Sequence, residues 1–168
     1  MEAPITWSWW KLADADPLTL FACLRLRSDV FVAEQSCAYS DMDDGDLVAW
    51  HLTGHDAGGR VVAALRLLPP GERHPDPSLG RVVIAPEARG TGSGHRLIAE
   101  ALRKAACEYP GYGHQIEAQA HLQRFYGRHG FVPVGEEFLE DGIPHVAMRM
   151  TAEQLAGLTA ADSPKPGN

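Results

Sequence analysis

The residues Val82-Val83-Ile84-Ala85-Pro86-Glu87-Ala88-Arg89-Gly90-Thr91-Gly92-Ser93-Gly94 constrain this chain more than any other stretch. Val82 to Ile84 is a β-branched apolar run and reads as a buried strand. Pro86 ends it, because proline cannot donate to a ladder. Gly90, Gly92 and Gly94 then let the backbone bend where side chains would clash. From His95 to Tyr109 the spacing turns helical, with Leu97, Ile98, Ala101, Leu102 and Ala105 on one face. A glycine loop that opens a helix aims several backbone N–H groups at one spot, at the positive end of the helix dipole. That is an anion site, most simply one for phosphate. Arg89 adds a fixed charge beside it.

No Gly-x-x-x-x-Gly-Lys-Ser/Thr occurs, and the glycines do not follow Gly-x-Gly-x-x-Gly spacing, so neither a P-loop nor a dinucleotide fold is indicated. With 168 residues and 45% apolar content, a single domain with a real core is expected. The net charge of −7 argues against nucleic acid and anionic membranes as partners, and is compatible with a cationic substrate. Cys23, Cys37 and Cys107 are odd in number and irregularly spaced, so neither a disulfide framework nor a zinc knuckle is expected. Eight histidines lie scattered without ligand spacing, and no metal is expected. No leader pattern opens the sequence and no apolar run approaches a membrane span, so a cytoplasmic location is expected.

Along the chain, Ile5 to Trp9 alternates as a first strand. Asp16-Pro17 starts a helix, a capping carboxylate with proline at the first helical position. Leu20, Phe21, Leu24 and Phe31 recur at helical spacing as far as Gln35. Ser36 to Leu47 reads as an acidic, solvated loop. Val48 to Thr53 and Val61 to Leu68 form a hairpin about Ala57-Gly58-Gly59. Residues 69 to 79 are a proline-rich loop. Gln115 to Ala120 is a strand, His121 to Arg128 a short helix, and Phe131 to Glu136 and His145 to Met150 the last strands, about an Asp141-Gly142-Ile143-Pro144 turn. The domain is expected to span 1–152, with 153–168 a partly disordered tail.

Arg89-x-x-Gly92-x-Gly94 resembles the acyl-CoA pyrophosphate loop of the GNAT N-acetyltransferases. Tyr126-x-x-x-Gly130-Phe131 resembles the end of that family's last helix. Leu26-Arg27-x-x-Val30-Phe31-Val32-x-Glu34-Gln35, Ala118-Gln119-Ala120-His121-Leu122-Gln123 and Glu140-Asp141-Gly142-Ile143-Pro144-His145 are similar to its ElaA-like subgroup. The element order agrees. The resemblance implies an α/β GNAT fold: a mixed, mostly antiparallel central sheet with a splayed pair of parallel strands, flanked by helices. It further implies transfer of acetyl from acetyl-CoA directly to a primary amine of a small molecule or peptide. A homodimer is compatible with it.

By that resemblance, Val82, Val83 and Ile84 pair with the pantetheine arm. A backbone N–H near Val83 or Ile84 polarises the acetyl carbonyl. Arg89, Gly90, Thr91, Gly92, Ser93 and Gly94 hold the pyrophosphate, and Gln119 meets a pantetheine amide. His95, Arg96, Arg124 and Arg128 are further phosphate candidates. Tyr126 is the expected proton donor to the departing thiolate. The base that must accept the amine proton is Glu34 first, then His121, with Glu117 a third option. Gln35, Asp43, Glu117 and His145 are acceptor-side candidates. Cys37 as a nucleophile is disfavoured by the nearby carboxylates. Two alternatives stand beside this reading. Arg27-x-x-x-Phe31 with Asp43, Asp46 and Arg66 to Pro70 is similar to acyl-homoserine lactone synthases, although the tryptophan expected after the phenylalanine is absent. The other alternative is a non-catalytic CoA-binding module.

Overall fold

The computed structural model describes residues 4–161. Two antiparallel sheets share the work. The first has the order β1 (Thr6–Trp10), β2 (Trp50–His55), β3 (Val61–Leu68), β4 (Ser78–Ile84). The second has the order β5 (His114–Gln119), β7 (Ile143–Met150), β6 (Val132–Glu140). Helix α3 (Ser93–Glu108) carries the chain from the end of β4 to the start of β5, the crossover that builds a parallel pair.

The expected face of α3 is the observed one. Leu97, Ile98, Ala101, Leu102 and Ala105 are all buried, against Leu65, Ile116 and Met148. On the opposite side lies α1 (Pro17–Arg27), which continues in π-helical turns over Ser28–Glu34. Asp16 caps it as expected, accepting from the Thr19 N–H at 2.8 Å. Its buried face differs from the expected one. Cys23, Leu26, Arg27, Val30 and Phe31 face inward, while Phe21 is 64% exposed. The inward set keeps perfect helical spacing, but it contains a cysteine and an arginine that an apolar pattern passes over.

Arg27 explains the next difference. The segment expected to be a solvated acidic loop folds inward and ends in the short helix α2 (Gly45–Val48). Arg27, 1% exposed, binds Asp41 and Asp46, each at 2.8 Å. Arg66 binds Asp43 at 2.5 Å and Asp46 at 3.0 Å, and Arg81 binds Asp41 at 3.0 Å and Asp43 at 3.2 Å. Three guanidinium groups and three carboxylates thus neutralise one another where α1, β3 and β4 meet. Mutual pairing is the condition under which such groups tolerate burial.

Two irregularities shape the strands. Ala64 pairs with Val83 but Arg66 with Gly80, so β4 carries one extra residue, with Arg81 at φ 51°. This bulge re-aims the strand beyond it. In β6 the register shifts between Val134 and Phe138, and β6 runs to Glu140 rather than ending near Glu136. Asp141 (φ 50°) and Gly142 (φ 75°) close the two-residue hairpin into β7.

The chain beyond 152 does not begin a tail. It forms α5 (Ala152–Ala161), whose Leu155 is 3% exposed in the main core. Residues 162–168 lie outside the described part. Among the described residues no helix is long and apolar enough to cross a membrane.

Candidate active site

The two sheets touch at one joint. The Gln115 N–H donates to the Pro77 carbonyl at 3.1 Å, and the Leu79 N–H donates to Nε2 of the fully buried His114 at 2.9 Å. Beyond the joint no ladder connects β4 with β5, and a cleft opens between them. The Ala85 N–H donates to Val62 on β3 at 2.8 Å. Strand alternation therefore turns the Ile84 N–H the other way, into the cleft. Val83 is buried on the α1 side, while Val82 and Ile84 are half-buried.

At the C-terminal end of β4 sits the glycine loop. Gly90 (φ 74°) and Gly92 (φ 77°) adopt the left-handed region that β-carbons disfavour. Gly92 is the N-cap of α3 and no side chain caps the helix. The first intrahelical bond is Arg96 N–H to Gly92 at 3.2 Å, so the N–H groups of Ser93, Gly94 and His95 point out of the helix end. Gly94 faces the Phe125 ring of α4 (Gln123–Gly127), where a β-carbon would stand 3.4 Å away, at ordinary contact distance. The hydroxyls of Thr91 and Ser93 brace the loop itself. Thr91 donates to Ala88 at 2.8 Å and lies 2.6 Å from Ser93 Oγ. His95 is half-buried and paired. Its Nδ1 lies 2.9 Å from His129 Nε2, and its ring packs on Phe125.

Arg89 and Glu34 stand in a relation the sequence did not suggest. Arg89 makes two bonds to Glu34, at 2.7 and 2.8 Å, and a third to the Ile84 carbonyl at 3.1 Å. The guanidinium holds the Glu34 carboxyl below the usual range. A paired carboxylate with a lowered pKa is a poor proton acceptor, and Glu34 does not line the cavity described next. His121 is exposed and does not line it either. Neither of the two leading base candidates therefore lines that cavity.

A cavity of about 350 Å³ lies between β4 and β5. Val82, Gln119 and Tyr126 line it together with Gln35, Asp43, Glu117 and His145. Gln35 and Gln119 face each other at 3.5 Å. Tyr126 is 6% exposed, its ring set edge-on to Phe125 and Phe131. Burial raises its pKa, so the phenol keeps its proton at neutral pH. Among the described residues its hydroxyl has no hydrogen-bond partner. Asp43 is committed to Arg66 and Arg81 rather than free for a substrate.

Sequence reasoning missed Arg73. From the proline-rich loop it reaches Glu117 on β5, with a 2.9 Å bond from Nε, and Glu140 on β6 at 2.9 Å. Burial lowers the pKa of neighbouring His74. His145 Nδ1 lies 2.7 Å from the Ile143 carbonyl, and its Nε2 lies 3.7 Å from Glu140. Among the described residues no three His, Cys, Asp or Glu side chains converge as a metal site.

A family model described as an acetyltransferase (GNAT) domain matches residues 30–152. The chain belongs to the GNAT acetyltransferase family. A UPF0039 protein of Synechocystis is 42% identical over 144 residues, covering 86% of this chain and 94% of that one. Protein ElaA of Escherichia coli is 39% identical over 131 residues, covering 77% and 85%. The crystal structure of an acyl-CoA N-acyltransferase from Pseudomonas aeruginosa superposes with TM-score 0.83 at 43% identity, over 88% of this chain and all (100%) of that one. Escherichia coli ElaA superposes with TM-score 0.81 at 35% identity, over 88% and 99%. These neighbours establish the GNAT fold and the ElaA-like subgroup. The acyl-homoserine lactone synthase LasI superposes with TM-score 0.76 at 14% identity, a likeness of fold alone.

Proposed function

We propose that this GNAT acyltransferase moves the acetyl group of acetyl-CoA to a primary amine of a small molecule or peptide. One observation carries the reading. A cavity between β4 and β5 holds Tyr126, whose hydroxyl has no partner among the described residues, and the glycine loop beyond the end of β4 opens α3 with an uncapped helix end.

The residues fit the group they would hold. The N–H groups of the first turn of α3 suit a pyrophosphate, and left-handed glycines at 90 and 92 keep β-carbons away from it. The outward Ile84 N–H suits the thioester oxygen, on which negative charge grows as the amine adds. The Tyr126 hydroxyl, protonated at neutral pH, would supply a proton to the departing sulfur. Gln119 offers an amide at the cavity wall. Glu34 shares the Arg89 guanidinium with any phosphate bound there. The free thiols of Cys23, Cys37 and Cys107 accord with a cytoplasmic location.

The test has two stages. Acetyl-CoA should raise the melting temperature of the wild type, by about 2.7 kcal/mol of stability at a hundredfold excess over Kd, and should not do so in Gly92→Trp. Thiol release is then followed with tyramine, glucosamine, spermidine and a tetrapeptide with a free N-terminus. An acyl carrier protein as the better donor would favour the lactone-synthase alternative. A melting shift without turnover would favour a binding module. No shift in the wild type refutes the proposal.

A further inference from the structure

We propose that His145 is the base that deprotonates the acceptor amine, an inference that rests on the acetyl-transfer reading above. His145 begins the β7 segment that pairs with β5, where it stands opposite Gln119. It lines the same cavity as Tyr126. Its ring is held rather than loose: Phe138 stacks on it with an interplanar angle of 27°. The tautomer follows from the backbone. The Ile143 carbonyl can only accept, so Nδ1, 2.7 Å away, must carry the hydrogen. The lone pair therefore sits on Nε2, on the side of Glu140, which also lines the cavity. Glu140, 3.7 Å away, is placed to stabilise the imidazolium once it forms.

The other charged groups around it are poorer bases. Glu117 of β5 is bound by Arg73, and Asp43 by Arg66 and Arg81. Glu140 of β6 is shared with Arg73. Asp141 lies in the turn and is exposed. An imidazole is the side chain most often used as a general base.

The step balances. The ammonium gives one proton to His145 Nε2. The freed nitrogen forms the C–N bond, and the C–S bond breaks. The sulfur takes the Tyr126 proton, and the nitrogen's surplus proton restores the Tyr126 hydroxyl. His145 then releases its proton to solvent, so the products are amide, thiol and one proton.

His145→Asn retains an amide donor for the Ile143 carbonyl but no basic nitrogen. His145→Gln serves as a second variant. Wild type and both variants are assayed with acetyl-CoA and whichever of the four panel amines the wild type turns over fastest. Both variants should lose about 10²-fold or more in kcat, keep the acetyl-CoA melting shift, and lose the acidic limb of the pH profile of kcat/KM. Independently of any acceptor, nitrogen-15 NMR of the wild-type ring at pH 8 should show hydrogen on Nδ1 and a bare Nε2. Hydrogen on Nε2 overturns the proposal, as does an acidic limb unchanged in the variants. Absence of turnover with every amine overturns the acetyl-transfer reading instead, and the ring spectrum still judges His145.

Discussion

Lowering the pH from 7 to 5 should weaken the joint between the two sheets. His114 has no exposed surface and uses Nε2 to accept the Leu79 N–H. Its Nδ1 has no partner. Desolvation pushes its pKa down to about 4 from an ordinary 6.5, and the charge of Asp76 only partly opposes this. The folded protein therefore keeps the ring neutral, while the unfolded chain takes up a proton as pH falls through 6.5. Between those values the unfolded state binds more protons, so this contribution is intact above pH 6.5 and is lost as pH falls toward 4. The full gap corresponds to about 3 kcal/mol, of which roughly 2 kcal/mol is lost between pH 7 and pH 5. That is a sizeable share of the ~5–15 kcal/mol typical of a domain. Urea unfolding at pH 7, 6 and 5 measures it, comparing wild type with His114→Gln, whose side-chain oxygen can accept the Leu79 N–H but does not titrate. Contributions of the other histidines cancel in the difference. Wild type should lose about 2 kcal/mol more than the variant over that interval. Parallel pH dependences would refute the assignment of the proton to this joint.

Tyr126→Phe keeps the packed ring and should lower kcat by about 10²–10⁴-fold with little change in acetyl-CoA affinity, as read by steady-state kinetics and calorimetry. Asp46→Ala leaves Arg27 and Arg66 without a shared carboxylate and should cost about 3–5 kcal/mol in urea unfolding. A loss below 1 kcal/mol would mean that the network relaxes onto Asp41 and Asp43. Glu34→Gln removes the competitor for Arg89. Because that pair is about two-fifths exposed it is weak, and acetyl-CoA should bind modestly tighter by calorimetry. Weaker binding would show that Glu34 positions Arg89 rather than occupying it.

Features written locally were legible. The α3 stripe, the Asp16 cap, the glycine loop and the Asp141-Gly142 turn each depend on residues within a few positions, and each appears where the spacing put it. Tyr126, Gln119, Gln35 and His145 reach one cavity because the motifs carrying them sit at element ends that the fold gathers. Pairings over long separations were not legible. Glu34 looked like a base because nothing near it announces Arg89, 55 positions away. Arg73 sits in a loop without periodicity, and its partner Glu140 lies 67 positions on. The acidic segment looked solvated because its three arginine partners come from three different elements, one of them hidden on the buried face of α1.

The parting of β4 from β5 has a further consequence. A strand without a neighbour is an invitation to any other strand, and proteins usually keep such edges short, charged or covered. Beyond the joint, β4 and β5 each turn such an edge toward the gap between them. A bound arm rich in amide groups would act as the missing strand. Acyl-CoA would then be a shield as well as a reactant: molecules that have released it, above all during heating or concentration, are the ones that should pair edge to edge and aggregate.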